Sequence, residues 1–299
     1  MLSTPPPLIA VVGSIEPPLL AAWVRHYRWL GVERFLIAFH FPDHVPDLRR
    51  HDLQAAAREL GIIPTGTSTG PWHEHTNTQL RDALRHRAGP GWHLLADADE
   101  FQQYPAPLAE VVAQADKSGH RVVGGLMLDR VAANGRMTGW RAEGGLDLAY
   151  PLGGHLTHRL LRGDPRKIVL ARHDVSVASG NHRASGHRPD ADRICAVHHF
   201  KWRSGILDDL RRRVQHFTSG TWQEHTPAVR DEAGRLLAHV GRHGGVINVS
   251  DPRFAFRRVS LDRMLFGWPA ASSPPGGPTR TPVRTEKMPD AHARSPRKG

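Results

Sequence analysis

One cysteine, Cys195, stands in 299 residues, which excludes an internal disulfide and any zinc site built from several cysteines. No apolar run approaches the roughly 18 residues a membrane-spanning helix needs. The opening, Met1-Leu2-Ser3-Thr4-Pro5-Pro6-Pro7, has neither the basic segment nor the long apolar stretch of a secretory signal, so a cytoplasmic location is the expectation. No Gly-x-x-x-x-Gly-Lys-(Ser/Thr) loop occurs, which excludes a P-loop enzyme. His73-Glu74-His75 lacks the spacing that puts two imidazoles on one helix face and reads as the polar start of a helix. Basic and aromatic residues are not interleaved as in nucleic-acid recognition modules, so no nucleic-acid partner is expected.

What the chain does have is positive charge, +11 with histidine neutral. The segment from Pro269 carries six basic residues against two acidic ones, leaving about +7 for the rest. That balance suits anionic ligands such as nucleotide diphosphates, and it allows peripheral contact with an anionic membrane face. Residues 269–299 are Pro, Gly, Ser, Thr and Arg with almost no large apolar side chain, and disorder is expected there. Residues 1–268 are expected to form one catalytic domain, with a nucleotide-binding half over 8–101 and an acceptor half over 102–268.

The first hundred residues alternate between two periods. Leu8 to Val12 is a short buried strand. Pro17 and Pro18 then open a helix with Leu20, Trp23, Val24, Tyr27 and Leu30 on one face, stopped at Gly31. Phe35 to Phe39 is a second strand, Asp47 starts a second helix ending at Gly61, and Ile62-Ile63 reads as a brief third strand. A polar helix follows over roughly 74–87, and Trp92 to Ala96 is a fourth strand. Such alternation predicts an α/β fold, a mostly parallel sheet flanked by helices, with ligands at the carboxyl ends of its strands. The second half is mixed: strands at 122–128, 167–170 and 194–200, a helix from a Ser204 cap carrying Ile206 to Phe217, and a last helix over 228–242.

The fourth strand ends in Asp97-Ala98-Asp99-Glu100-Phe101. In an extended backbone residues i and i+2 face the same way, so Asp97 and Asp99 would converge at a strand end. Two hard oxygen ligands with open positions suit Mg2+ or Mn2+ carrying a substrate diphosphate. With 19 Asp in the chain, chance supplies about one such pair. The second copy, Asp190-Ala191-Asp192, follows no apolar run and reads as a solvated loop.

With its neighbours, the acidic motif resembles that of GT-A glycosyltransferases of the family-2-like and family-92-like type. The resemblance runs over roughly residues 8–220. It rests on Val11 to Glu16, on Ala22-Trp23-Val24-Arg25-His26-Tyr27, on Leu30-Gly31-Val32 to Ile37, and on Gln79, Trp92 and Asp97 to Phe101. It continues through Lys167-Ile168-Val169, Gly180-Asn181-His182 and His199-Phe200-Lys201-Trp202-Arg203-Ser204. The chain departs where the family often has Asp-Asn after its second strand, showing Phe39-His40, and Ile15 replaces an Asn.

The resemblance implies a Rossmann-like GT-A fold and transfer of a sugar from a nucleotide-diphospho-sugar to the hydroxyl of a glycan, lipid-linked or other acceptor. It implies Mn2+ or Mg2+ on Asp99, with Asp97 touching the ion through water or holding the ribose. His199 is a candidate third ligand, Glu16 a nucleotide contact, and Lys167, His182 and Arg203 candidate phosphate or acceptor contacts. An inverting reaction needs a general base, for which Asp129 is the candidate and Asp174 a weaker one. A metal-dependent phosphoesterase on an α/β sheet, or an inactive transferase-like binding protein, would share much of this pattern.

Overall fold

The computed structural model describes residues 5–140 and 142–263, so the segment expected to be disordered, 269–299, lies outside the described residues. The first half alternates as expected: β1 (Leu8–Val12), α1 (Pro17–Trp29), β2 (Phe35–Pro42), α2 (Asp47–Glu59), β3 (Gly66–Gly70), α3 (Thr76–Ala88) and β4 (Trp92–Leu95). Every residue of β1 is buried, because successive side chains serve two cores. Leu8, Ala10 and Val12 join Trp23 and Tyr27 of α1 on one face, and Ile9 joins Leu84 of α3 on the other. The prolines sit at the start of α1, where a missing N–H costs nothing.

The second half contributes β5 (Glu100–Gln103), α4 (Leu108–Lys117), β6 (Val122–Val131), α5 (Leu146–Ala149), β7 (Leu152–Gly154) and β8 (Arg166–Arg172). These are followed by β9 (Cys195–His199), α6 (Ile206–Thr218), α7 (Ala228–Arg242) and β10 (Arg257–Arg258). All ten strands form one sheet in the order β10-β7-β6-β8-β4-β1-β2-β3, with β9 paired to β6 and β5 paired to β9. Strands β3, β2, β1 and β4 are mutually parallel, and β8 runs antiparallel to β4. The fold is therefore a mixed α/β sheet with a parallel half and helices packed on its faces.

Four local expectations are corrected. Ile62-Ile63 is not a strand: the Ile62 amide donates to the Ala57 carbonyl and closes α2, and Ile63 is 85% exposed. The third strand is the Gly/Thr/Ser stretch β3, which lies at the sheet edge and so lacks the apolar signature of a buried strand. Helix α6 starts at Gly205, with φ of 87° and no side-chain cap, so Ser204 caps nothing. Strand β6 runs on to Val131, which takes Asp129 into the sheet rather than into a loop beyond it. No described helix is long and apolar enough to cross a membrane.

Candidate active site

The acidic motif is a turn, not an extended strand end. Strand β4 stops at Leu95, and the Glu100 amide donates back to the Asp97 carbonyl at 3.0 Å. The same-side argument assumed extended backbone and does not apply to this turn, yet Asp97 and Asp99 both line one cavity. Helix α1 holds the turn from below. Trp23 Nε1 donates to the carbonyls of Asp97 and Glu100 at 3.0 and 3.1 Å, and the Tyr27 hydroxyl donates to the Glu100 carbonyl at 2.9 Å. Residues 23 and 27 are one helical turn apart on the buried face, so two fully buried aromatics put both polar tips on one loop.

Asp97 turns toward Lys167. Because β8 is antiparallel to β4, Lys167 at its start lands beside the carboxyl end of β4. Its ammonium lies 3.1 Å from Asp97 Oδ2, 2.5 Å from Glu100 Oε1 and 2.8 Å from the Gly180 carbonyl. The ammonium donates to Asp97 and to the Gly180 carbonyl and ion-pairs with Glu100, so Lys167 belongs to the acidic turn. Burial pushes the Glu100 carboxyl up to about 7, with nearby Asp97 adding to the rise against the pull of Lys167. Burial acts the same way on Asp97, but the Lys167 charge and hydrogen bond, helped by His199 and His182, outweigh it and hold that carboxyl below its ordinary value. His182 stands beside this cluster on the cleft wall; its Nδ1 bonds the Arg166 carbonyl at 2.9 Å. Burial and the Lys167 charge bring its pKa down to about 4, so the ring is neutral.

Sheet register builds the other half of the site. His199 pairs with Glu100 across β5–β9 and with Asp129 across β6–β9. Asp129 is 1% exposed. One of its oxygens accepts from the Thr157 hydroxyl at 2.7 Å and Trp202 Nε1 at 2.9 Å, with His199 Nδ1 at 3.3 Å; the other accepts from the Thr157 amide at 2.6 Å. Burial would raise its pKa, but these donors, His199 first, hold it low and ionised. An ionised carboxylate only accepts, so His199 Nδ1 donates to Asp129, and His199 Nε2 lies 3.8 Å from Asp99 Oδ2. A histidine steadied by a buried carboxylate on its far nitrogen is the arrangement metal-ligating imidazoles use. Asp129, expected as a base, is enclosed by protein donors and does not line the cleft. Asp174 follows β8 at the opposite end of the sheet and pairs with Arg121. Among the described residues no three acids, histidines or cysteines gather tightly enough to hold an ion alone. Of the expected Asp97, Asp99 and His199 set, all three line one cavity, with His199 beside Asp99 and Asp97 paired with Lys167.

Above the turn lies a two-lobed cleft, with cavities of about 400 and 290 Å³ sharing Asp97, His199, Lys201 and Arg213 on their common wall. Glu16 and Arg203, proposed separately from sequence, pair with each other at 3.1 Å beside the smaller lobe. Arg203 is 8% exposed, and its Nη1 is buried without a partner. His40, standing where the family pattern has an acid, is also buried there, bonded to Ser68 through Nδ1 with Nε2 unpartnered.

Two functional candidates were missed in sequence, Lys201 and Arg213. Neither has a hydrogen bond or ion pair among the described residues; Lys201 lies over the Trp202 ring and Arg213 over the Trp72 ring, at 5.1 and 4.6 Å from the centroids. Burial lowers both pKa values, and the Arg213 charge lowers Lys201 further. Lys201 was legible as part of the stretch following His199. Arg213 was hidden in Arg211-Arg212-Arg213, whose first two members make surface pairs with Asp208 and Asp209.

No family model matches the sequence, and no curated protein matches it. Among solved structures, the chain is similar to S. aureus TarS at 12% identity, over 70% of this chain and 39% of that one, with a TM-score of 0.33. It is similar to the 1–349 portion of TarS at 12% identity, over 83% of this chain and 76% of that one, with a TM-score of 0.35. It is also similar to mannosyltransferase PcManGT from Pyrobaculum calidifontis, in complex with GDP-Man and Mn2+, at 13% identity, over 80% and 76% of the two chains, with a TM-score of 0.35. The chain thus spans well under half the length of the full TarS chain. At such scores these likenesses carry no argument about chemistry, which rests on the residues themselves.

Proposed function

We propose that this protein is a GT-A-type glycosyltransferase that moves a sugar from a nucleotide-diphospho-sugar to an acceptor hydroxyl with a divalent ion. One observation carries the reading: Lys201 and Arg213, half-buried and without a hydrogen bond or ion pair among the described residues, share a cleft wall with Asp99 and His199. With the buried, unpartnered Nη1 of Arg203, they suit a diphosphate, whose oxygens accept from just such donors. Asp99 and His199 would be the residues to hold Mn2+ or Mg2+, both hard or borderline ligands suited to such an ion. When bound, such an ion neutralises charge on the departing diphosphate.

The protein's own part is positional. Asp129 fixes the His199 tautomer, Lys167 fixes Asp97 and Glu100, and Trp23 and Tyr27 fix the turn. Lys201, Arg213 and Arg203 take the charge that develops as the diphosphate leaves, the electrostatic contribution that usually dominates such catalysis. The smaller lobe, walled by His40 and the β1–α1 loop, receives the nucleoside, and the larger lobe receives the sugar and acceptor.

A thermal-shift panel of nucleoside diphosphates and nucleotide sugars, with and without Mn2+, tests this. A rise in Tm that needs both nucleotide and metal is expected. No shift with any nucleotide would overturn the reading.

A further inference from the structure

Four carboxylates line the larger lobe: Glu74, Asp97, Glu100 and Glu232. Three are held by protein donors. Glu74 accepts from the amides of His225 and Thr226 and the Thr226 hydroxyl, at 2.5, 3.0 and 3.1 Å, and fastens the 220–227 loop to the segment before α3. Asp97 and Glu100 are held by Lys167. Glu232, on α7, has no hydrogen bond and no ion pair among the described residues. It reaches the lobe beside Gly163, where an added Cβ would meet Thr157 Cγ2 at 2.8 Å and Glu232 Oε1 at 3.1 Å. Gly163 has no left-handed φ, so space rather than backbone conformation calls for glycine there. Thr157 is the residue that binds Asp129, which places Glu232 against the same wall as His199.

We propose that Glu232 is the general base that takes the proton of the acceptor hydroxyl, an inference that rests on the transferase reading above. The acceptor oxygen bonds to the anomeric carbon as its proton passes to a Glu232 carboxylate oxygen. The bond from that carbon to the β-phosphate oxygen breaks, its electron pair leaving with the nucleoside diphosphate, and the configuration inverts. A base needs an oxygen not committed to the protein; both oxygens of Asp129 and of Glu74 accept from protein donors, Asp97 and Glu100 are each paired with Lys167, and Glu232 has neither hydrogen bond nor ion pair among the described residues. Burial raises the Glu232 pKa, while Lys201 and Arg213, which line a small cavity together with it, and Arg235 on its own helix oppose the rise and Asp129 adds to it. A carboxylate poised above its ordinary range is a better proton acceptor near neutral pH.

The test uses the full chain with Mn2+ and a panel of UDP- and GDP-sugars, with water as the acceptor probe. Nucleotide binding, rate of nucleoside diphosphate release and the anomer first formed are followed in wild type, Glu232→Gln and Glu232→Asp. The proposal expects inverted sugar, release slowed about 100-fold or more in Glu232→Gln at unchanged nucleotide affinity, and partial recovery in Glu232→Asp. The acidic limb of the wild-type pH profile should vanish in Glu232→Gln. Unchanged release in Glu232→Gln, retained configuration, or wild type that binds donors without ever releasing the diphosphate would overturn the inference alone. Tighter nucleotide binding with normal release in Glu232→Gln would make Glu232 only a counter-charge to Lys201 and Arg213. Absence of nucleotide binding in wild type would instead overturn the transferase reading itself.

Discussion

A lysine can bind a phosphate or hold carboxylates, and its neighbours decide which. Lys167 donates to Asp97 and the Gly180 carbonyl and ion-pairs with Glu100, so its role is to keep the acidic turn together. Lys167→Met leaves a buried carboxylate uncompensated and is expected to cost about 3–5 kcal/mol in urea unfolding. Adding Glu100→Gln should recover part of that loss, and failure to recover any would show that the pair is not energetically coupled. Asp129 acts through His199. Asp129→Asn removes the charge that fixes the His199 tautomer and is expected to weaken Mn2+-dependent nucleotide binding about 10–100-fold, read from metal titrations of the thermal shift. An unchanged metal dependence would argue that His199 does not hold the ion.

At the scale of elements, α1 is the support on which the turn after β4 rests. Its apolar spacing was readable because the period of 3.6 is local. That two of its buried aromatics also donate into the turn was not, since it depends on packing 74 and 77 residues away. Trp23→Phe keeps most of the packing but removes one of the donors to each of two carbonyls that Tyr27 and the Glu100 amide still serve, with an expected loss of about 0.5–1.5 kcal/mol and weaker nucleotide binding. A stability loss with normal binding would separate the support of the fold from the support of the site. A second joint lies between the end of β6 and the end of α7. Gly135 has φ of 70°, and an added Cβ would fall 1.9 Å from the Ile247 carbonyl oxygen. Gly135→Ala should therefore lower Tm markedly, as both backbone conformation and space forbid it.

Over the whole molecule, buried neutral histidines link stability to pH. Burial brings His26 and His93 down from 6.5 to about 4. His93 is fully buried, accepts from Arg85 at 3.5 Å and bonds the Gly89 carbonyl at 2.9 Å, so a second proton would face a guanidinium. Between pH 4 and 6.5 the unfolded chain binds more protons than the folded one. Stability is therefore full above 6.5 and is lost as pH falls toward 4, by up to about 3 kcal/mol for His93 alone. Urea midpoints measured from pH 7 to 4 should fall accordingly, and His93→Gln should flatten the slope; an identical slope in that variant would remove His93 from the account.

The sequence by itself determined three of the four parallel strands, β1, β2 and β4, the place of the acidic motif at a strand's carboxyl end and the helices on either face. Those features follow from local periods of two and 3.6 and from proline and glycine at helix ends, which any short window of the chain carries. The tertiary structure alone decided which residues meet. Asp129, Thr157, His199 and Trp202 come together because β6, β7 and β9 align in one register, and a shift of one residue would turn each side chain to the other face. Residue type told which groups are capable of the chemistry. Only the pairing of distant strands committed Lys167 to carboxylates, enclosed Asp129, and left Lys201, Arg213 and Glu232 without a side-chain hydrogen bond or ion pair among the described residues, because a side chain's role is set by the partners it is already bound to.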